Sequence, residues 1–242
     1  MDALSTGIPS FDKLIGGGIP KGYNIVLVGE PGTKKSLLSQ HFAREHVING
    51  GTALFVLTRK SKKTLVEELK AIGWIDCMDF FNNGAVDIVD VYSWKTGLSS
   101  SLKPRDLTRI SIEINQKRKK LEQTGEPIEI FDTASEFFLH NTNEQSVFMF
   151  FEEACARARS SNAIIVFLVE EGMHSVKQLT TFKSFTQGTF ELMEDTKGRY
   201  LSVQKLDAVD HPLAWFPITI SEKGVKIGTK VYSSKKHPKL PV

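Results

Sequence analysis

The stretch "YNIVLVGEPGTKKSLLSQHFAREHVING" (23–50) constrains this chain more than any other. Residues 23–29 are apolar and β-branched, the pattern of a buried strand. From Lys35 onward, Leu37, Leu38, Phe42 and Val47 fall at helical spacing until Gly50 and Gly51 end the helix. The loop between them is close to the phosphate-binding pattern of Gly, four residues, Gly, Lys, then Ser or Thr. Gly29, Lys35 and Ser36 are in register, while the slot of the second glycine holds Lys34. Such a loop turns successive backbone N–H groups toward phosphate, and the helix N-terminus adds about half a positive charge. The candidate cradle is therefore Gly29, Glu30, Pro31, Gly32, Thr33, Lys34, Lys35, Ser36 and Leu37. Lys35 would reach the β and γ phosphates and Ser36 would ligate magnesium. Lys34 leaves two outcomes open. With a negative φ the loop survives and the ammonium attracts phosphate; a positive φ or a side-chain clash lowers affinity.

The rest of the chain alternates strand and helix. "TALFVLT" (52–58), "AVDIVDVYS" (85–93), "IEIFDTAS" (128–135) and "AIIVFLVE" (163–170) read as strands; helices are expected over 62–74, after Pro104, and over "NEQSVFMFFEEACARARSSN". Near-continuous apolar strands separated by helices imply an α/β fold whose mostly parallel sheet is covered on both faces. From 189 onward, shorter strands with turns at "DTKG" and "SEKG" predict a small C-terminal antiparallel extension of one sheet edge. No repeat of 20–50 residues appears, so the expectation is one domain over 1–242, with 232–242 a frayed basic tail. The net charge of +3 permits an anionic partner without requiring one. Cys77 and Cys155 lie far apart in no metal-binding pattern and fit buried thiols in a reducing compartment. The longest apolar run, 163–169, falls far short of the ~20 residues of a membrane helix. A cytoplasmic protein without a membrane partner is expected.

"LSTGIPSFDKLIGGGIPKG" (4–22) followed by "VGEPGTKKS" resembles the opening of KaiC-like domains, a branch of the RecA superfamily of P-loop ATPases. "FDTAS" (131–135) is similar to the Walker B strand of that family. "SVQKLDAVDH" (202–211) is similar to its late strand, which in family members carries a Lys-x-Arg pair reaching the neighbouring subunit's nucleotide. The resemblance covers almost the whole chain. It implies a RecA-type core, ATP and Mg2+ as ligands, and Asp132 beside Ser36 in the magnesium shell. It also implies a homo-oligomer, often a hexamer, with Lys205 at the subunit boundary.

Three departures bear on chemistry. Thr58 keeps its place after the second strand, but the two positions that carry the family's catalytic Glu pair hold Arg59 and Lys60. A cation cannot accept the proton of the attacking water, and general-base contributions are typically ~10²–10⁴-fold. Glu170 and Glu171 stand where the family often has a polar group sensing the γ phosphate. A carboxylate there is either a solvated loop acid or pairs with Lys34, Arg59 or Lys60 across an altered pocket. Third, Asp207 replaces the arginine two residues after Lys205, and such a finger can contribute ~10³–10⁵ in rate. Losses at separate parts of one mechanism argue for a nucleotide-binding regulatory or architectural protein with impaired hydrolysis, in a homo-oligomer or beside an active paralogue.

Alternatives remain open at this level. A slow ATPase would use Glu170 or a partner's carboxylate as base. A nucleic-acid-binding recombinase relative would use "GMHSVKQLTTFKSFTQG" (172–188), where Lys177, Phe182 and Lys183 could touch a single strand. A purely structural subunit would carry a salt-bridged pocket closed to ATP. The basic run "RKSKK" (59–63) could contact phosphate backbones, and "KRKK" (117–120) reads as a solvated helix face.

Overall fold

The computed structural model describes residues 2–97 and 102–232. Its frame is a nine-stranded sheet. In chain order, a small pair β1 (Ala3–Leu4) and β2 (Ile19–Pro20) brackets helix α1 (Pro9–Leu14). Strand β3 (Asn24–Gly29) leads into α2 (Lys35–Ile48), β4 (Thr52–Leu57), α3 (Lys62–Ala71), α4 (Cys77–Asn82) and β5 (Val86–Asp90). Then come α5 (Leu107–Leu121), β6 (Pro127–Asp132), α6 (Ser135–His140), α7 (Glu144–Ser160), β7 (Ile164–Glu170) and α8 (Val176–Phe185). Four strands finish the chain: β8 (Gly188–Asp195), β9 (Gly198–Leu206), β10 (Trp215–Ser221) and β11 (Gly224–Ile227).

The order across the sheet is β11-β10-β9-β8-β3-β7-β6-β4-β5. Strands β8, β3, β7, β6, β4 and β5 run parallel, whereas β9, β10 and β11 are antiparallel additions at the β8 edge. The expected mostly parallel sheet with an antiparallel extension is thus the observed one. Strand β8 is the junction, pairing parallel with β3 and antiparallel with β9.

The continuous apolar strands have a direct cause. Side chains alternate between faces with period two, and both faces are buried. Ile25, Leu27, Ile164, Val166 and Leu168 pack into one core with Phe11, Leu38, Phe42, Leu65 and Trp74. Val26, Val28, Ile165, Phe167 and Val169 pack into the opposite one with Ile110, Ile114, Phe137, Phe151 and Phe182. Helices α1 to α4 therefore cover one face, and α5 to α8 the other.

Several local expectations change. The strand expected to run to 135 stops at Asp132, because Ser135 opens α6. The segment 172–188, which in a recombinase relative would be a DNA-binding loop, contains α8. Ser175 caps that helix by accepting from the Gln178 backbone N–H, while the Gln178 side chain accepts from the Ser175 backbone N–H. This capping box satisfies two otherwise orphaned donors. The proposed tail lies, beyond Tyr232, outside the described residues.

Candidate phosphate site and its ion network

Strand β3 delivers Gly29 to the end of the sheet, and α2 begins at Lys35. A Cβ on Gly29 would sit 2.5 Å from the Leu192 carbonyl oxygen, so the close approach of β8 requires glycine here. The loop folds back on itself: the Thr33 hydroxyl donates to the Glu30 carbonyl at 2.8 Å, and the Leu38 N–H reaches the Lys34 carbonyl at 3.1 Å. Gly32 has φ +94°. Lys34 has φ +70° and ψ +28°. The slot of the missing glycine therefore takes the left-handed conformation a glycine would supply. A residue with a Cβ is destabilised there by roughly 1–2 kcal/mol. The Lys34 side chain is exposed and, among the described residues, forms no ion pair. Beside the loop lies a cleft of about 310 Å³ lined by Gly32, Lys34, Lys35, Ser36, Leu37, Glu68, Ala71 and Glu170. Its backbone shape and its two lysines suit the phosphates of a nucleotide.

Lys35 is buried, with its side chain 4% exposed. Its ammonium donates to the Gly29 carbonyl at 2.7 Å and the Glu30 carbonyl at 2.9 Å, and meets Glu170 Oε2 at 2.8 Å. The other oxygen of Glu170 lies 3.4 Å from Arg59 Nη1. Arg59 Nε is also 3.6 Å from Glu136 Oε1. The second Glu136 oxygen receives Lys95 at 2.9 Å, and His140 Nε2 lies 3.4 Å from it. Glu170 is itself positioned from the backbone, since its N–H donates to Ser135 Oγ at 2.9 Å. His174 Nε2 stands 2.7 Å from the same hydroxyl. Burial holds the His174 pKa below its ordinary value, against the opposing pull of Glu144 and Glu170.

Lys60 forms the second centre. Its ammonium lies 2.7 Å from Asp132 Oδ2 and 2.6 Å from Glu68 Oε2. The Gln40 amide donates to that same Glu68 oxygen at 2.5 Å. Burial opposes the charge on Lys60, but Asp132 and Glu68 outweigh it, and its pKa is raised above the usual lysine value. The two strand ends are fastened together here: Thr58 Oγ1 donates to the Thr133 carbonyl at 3.0 Å and accepts from the Thr133 N–H at 2.8 Å.

The structure thus brings Lys35, Arg59 and Glu170 into one network and Lys60 and Asp132 into another. The cross-pocket pairing expected of Glu170 is found with Arg59 but not with Lys34 or Lys60; its second partner is Lys35, at the start of α2. The N–H of Glu171 donates to the Gly29 carbonyl at 2.9 Å, tying β7 to the loop. Sequence reading missed Glu68, Glu136 and Lys95. No local motif marks them, because each meets its partner through the fold.

Magnesium fits this arrangement poorly. Mg2+ requires oxygen ligands at 2.0–2.1 Å in near-octahedral geometry, and the carboxylates of Asp132 and Glu68 are both held by the Lys60 ammonium. The phosphate cradle fits a nucleotide; the acid expected in the metal shell does not fit the metal.

Lys205 and Asp207 lie elsewhere. Gly29, the last residue of β3, pairs with Leu192 in the middle of β8, whereas Lys205 pairs with Thr189 at the start of β8. Lys205 donates to the Thr186 carbonyl at 2.6 Å and sits 3.6 Å from Asp207.

Two readings of basic segments need correction. Phe182, a candidate for base stacking, is 2% exposed and packed among Phe138, Phe151, Phe167 and Phe185. Lys183 is paired with Glu191 at 2.7 Å. "KRKK" is not wholly a solvated face, because Arg118 turns inward and its Nε lies 3.1 Å from the fully buried Glu129.

A phosphate loop between strand and helix, on a sheet with β8, β3, β7, β6 and β4 as parallel neighbours, defines a RecA-type P-loop domain. A family model described as "ATPase: KaiC" matches residues 4–232, and the chain belongs to that family. Use of ATP and Mg2+ is general to it. A UPF0273 protein of Methanopyrus kandleri is 22% identical over 233 residues, spanning 94% of this chain and 92% of that protein. The circadian clock protein KaiC3 of Synechocystis is 32% identical over 90 residues, which is 37% of this chain and 18% of that one. The crystal structure of a KaiC-like protein from Pyrococcus horikoshii has the same fold. Its TM-score is 0.75 at 19% identity, covering 93% of this chain and 98% of that one. Among the described residues no helix is long and apolar enough to cross a membrane.

Proposed function

We propose that this KaiC-family chain is a single-domain nucleotide-binding protein that holds ATP through the Gly29–Leu37 loop with impaired hydrolysis. The observation that carries the reading is Lys60 on Asp132 at 2.7 Å, with Arg59 beside Glu170. Where a water-activating carboxylate pair would stand, there are two cations. Neither can take a proton from water, and both neutralise the acids that could. Glu170, the remaining candidate base, is bound by Lys35 and Arg59, which hold its charge as a structural counter-ion.

The role is regulatory or architectural, in the cytoplasm, in a homo-oligomer such as a hexamer or beside an active paralogue. Supporting the oligomer, KaiC relatives are oligomeric. Nucleic-acid binding has less support, since the aromatic that would stack is buried in the core.

The test is equilibrium binding of Mg-ATP, with turnover measured on the same sample. The expected outcome is saturable binding lost in Lys35→Ala and no phosphate release above background. Mg-dependent turnover abolished by Lys35→Ala would establish the slow-ATPase alternative instead.

A further inference from the structure

Lys60 occupies a position whose chemistry extends beyond a lost base. We propose that its ammonium is the built-in counter-cation of this site, standing in for the divalent metal, so that the cleft takes nucleoside polyphosphates in metal-free form. The inference rests on the nucleotide-binding reading above and specifies which ionic form of the ligand that site accepts.

The geometry supplies the argument. An ammonium has three N–H donors. Lys60 directs two at Asp132 and Glu68, at 2.7 and 2.6 Å, which leaves one for a phosphate oxygen. Its side chain is 11% exposed, so the charge is held within the site and not shared with bulk water. Glu68 belongs both to this cluster and to the wall of the cleft beside Lys34, Lys35 and Ser36. Lys60 does not itself line the cleft, but it is held to the Glu68 carboxylate of the cleft wall, one ion pair away from the space that phosphates would fill.

A metal ion would have to evict it. To reach Asp132, Mg2+ must displace Lys60, which would keep Glu68 but find no second carboxylate in place of Asp132 among the paired acids of the site. Glu170 is held by Lys35 and Arg59, and Glu136 by Arg59 and Lys95. An incoming divalent charge would also meet the retained Lys60 charge at short range, in a site where burial weakens screening. The lysine charges of Lys34, Lys35 and Lys60 meet the acids Glu68 and Glu170 around this cleft; the three donors of Lys35 are taken by Gly29, Glu30 and Glu170, so Lys34 and Lys60 are the ammonium groups left to meet an anionic ligand.

The experiment is calorimetric titration of ATP into the full chain, once in EDTA and once in excess MgCl2, with thermal stability measured at saturation in both. ATP is expected to bind in EDTA at least as tightly as in MgCl2, within about threefold, and to raise the melting temperature in both buffers. Binding more than about threefold tighter in MgCl2 would overturn the proposal while leaving the nucleotide-binding reading intact. Absence of binding in both buffers would overturn that reading and this proposal with it. A Lys60→Met variant, checked for native circular dichroism, is expected to lose about tenfold in EDTA and to become Mg-dependent. Unchanged metal-free binding by a folded variant would also refute the assignment. Should the variant fail to fold, the comparison of buffers on the parent chain decides alone.

Discussion

Replacing Lys34 by glycine tests whether the loop holds the shape of a phosphate cradle at a cost to stability. Lys34 sits at φ +70° and ψ +28° as the N-cap of α2, with no capping hydrogen bond from its side chain. Relief of the left-handed penalty is worth roughly 1–2 kcal/mol. Against it stands the greater freedom of glycine in the unfolded chain, roughly 0.4–1 kcal/mol. Glycine is also the better N-cap compared with a residue that makes no cap bond. The net expectation is stabilisation by roughly 0.5–1 kcal/mol, a rise of about 1–4 °C in melting temperature for a chain of this length. Lys34→Ala is the control: it removes the charge and the long side chain but keeps the Cβ, so it should stay within about 0.5 kcal/mol of the parent. The assay is urea and thermal unfolding by circular dichroism without nucleotide. Destabilisation by Lys34→Gly would refute the backbone argument. Equal stabilisation by Lys34→Ala would refute it too, by assigning the gain to the lost charge.

Two further outcomes follow from corrected features. Burial pushes the Glu129 carboxyl up to about 7 from 4.5, despite Arg118 and Arg157 nearby. The folded chain therefore holds this proton more tightly than the unfolded one. Its stabilising contribution is full below about pH 4.5 and is lost as pH rises through about 7. Urea-unfolding free energies between pH 4 and pH 8 should fall by about 3 kcal/mol more in the parent than in Glu129→Gln, and parallel profiles would show that the carboxylate is charged throughout. Phe182→Ala should cost about 3–5 kcal/mol as a core cavity, measured by unfolding. An unchanged melting temperature with weakened single-strand DNA binding in an anisotropy assay would return that ring to the surface.

Much of the architecture was legible because it is written locally. Strand β3, the loop and α2 follow from an apolar run, glycines and a 3.6-residue period that lie consecutively in the chain. The same holds for β4 and β7, whose burial on both faces shows as nearly unbroken apolar runs, while β6 carries the buried Glu129 within its run. The misreadings also have local causes. Segment 172–188 begins with Gly172 and is polar enough to read as a loop, yet its capping box and the inward pull on Phe182 make it a helix. Arg118 sits in a basic run whose lysines stay at or near the surface, so nothing nearby in sequence announces that the buried Glu129 awaits it.

By itself, then, the sequence determined the P-loop, the covered parallel sheet and the identity of the residues in the catalytic slots, because these depend on neighbours along the chain. Only the tertiary structure decided what those residues do to one another. Arg59 and Lys60 are adjacent in sequence but go to different acids, Glu170 and Asp132, on different strands. Lys60 is shared with Glu68 of α3, and Arg59 with Glu136 of α6. Charge pairing acts through distances of a few ångströms in space, and those distances exist only once β4, β6 and β7 lie side by side.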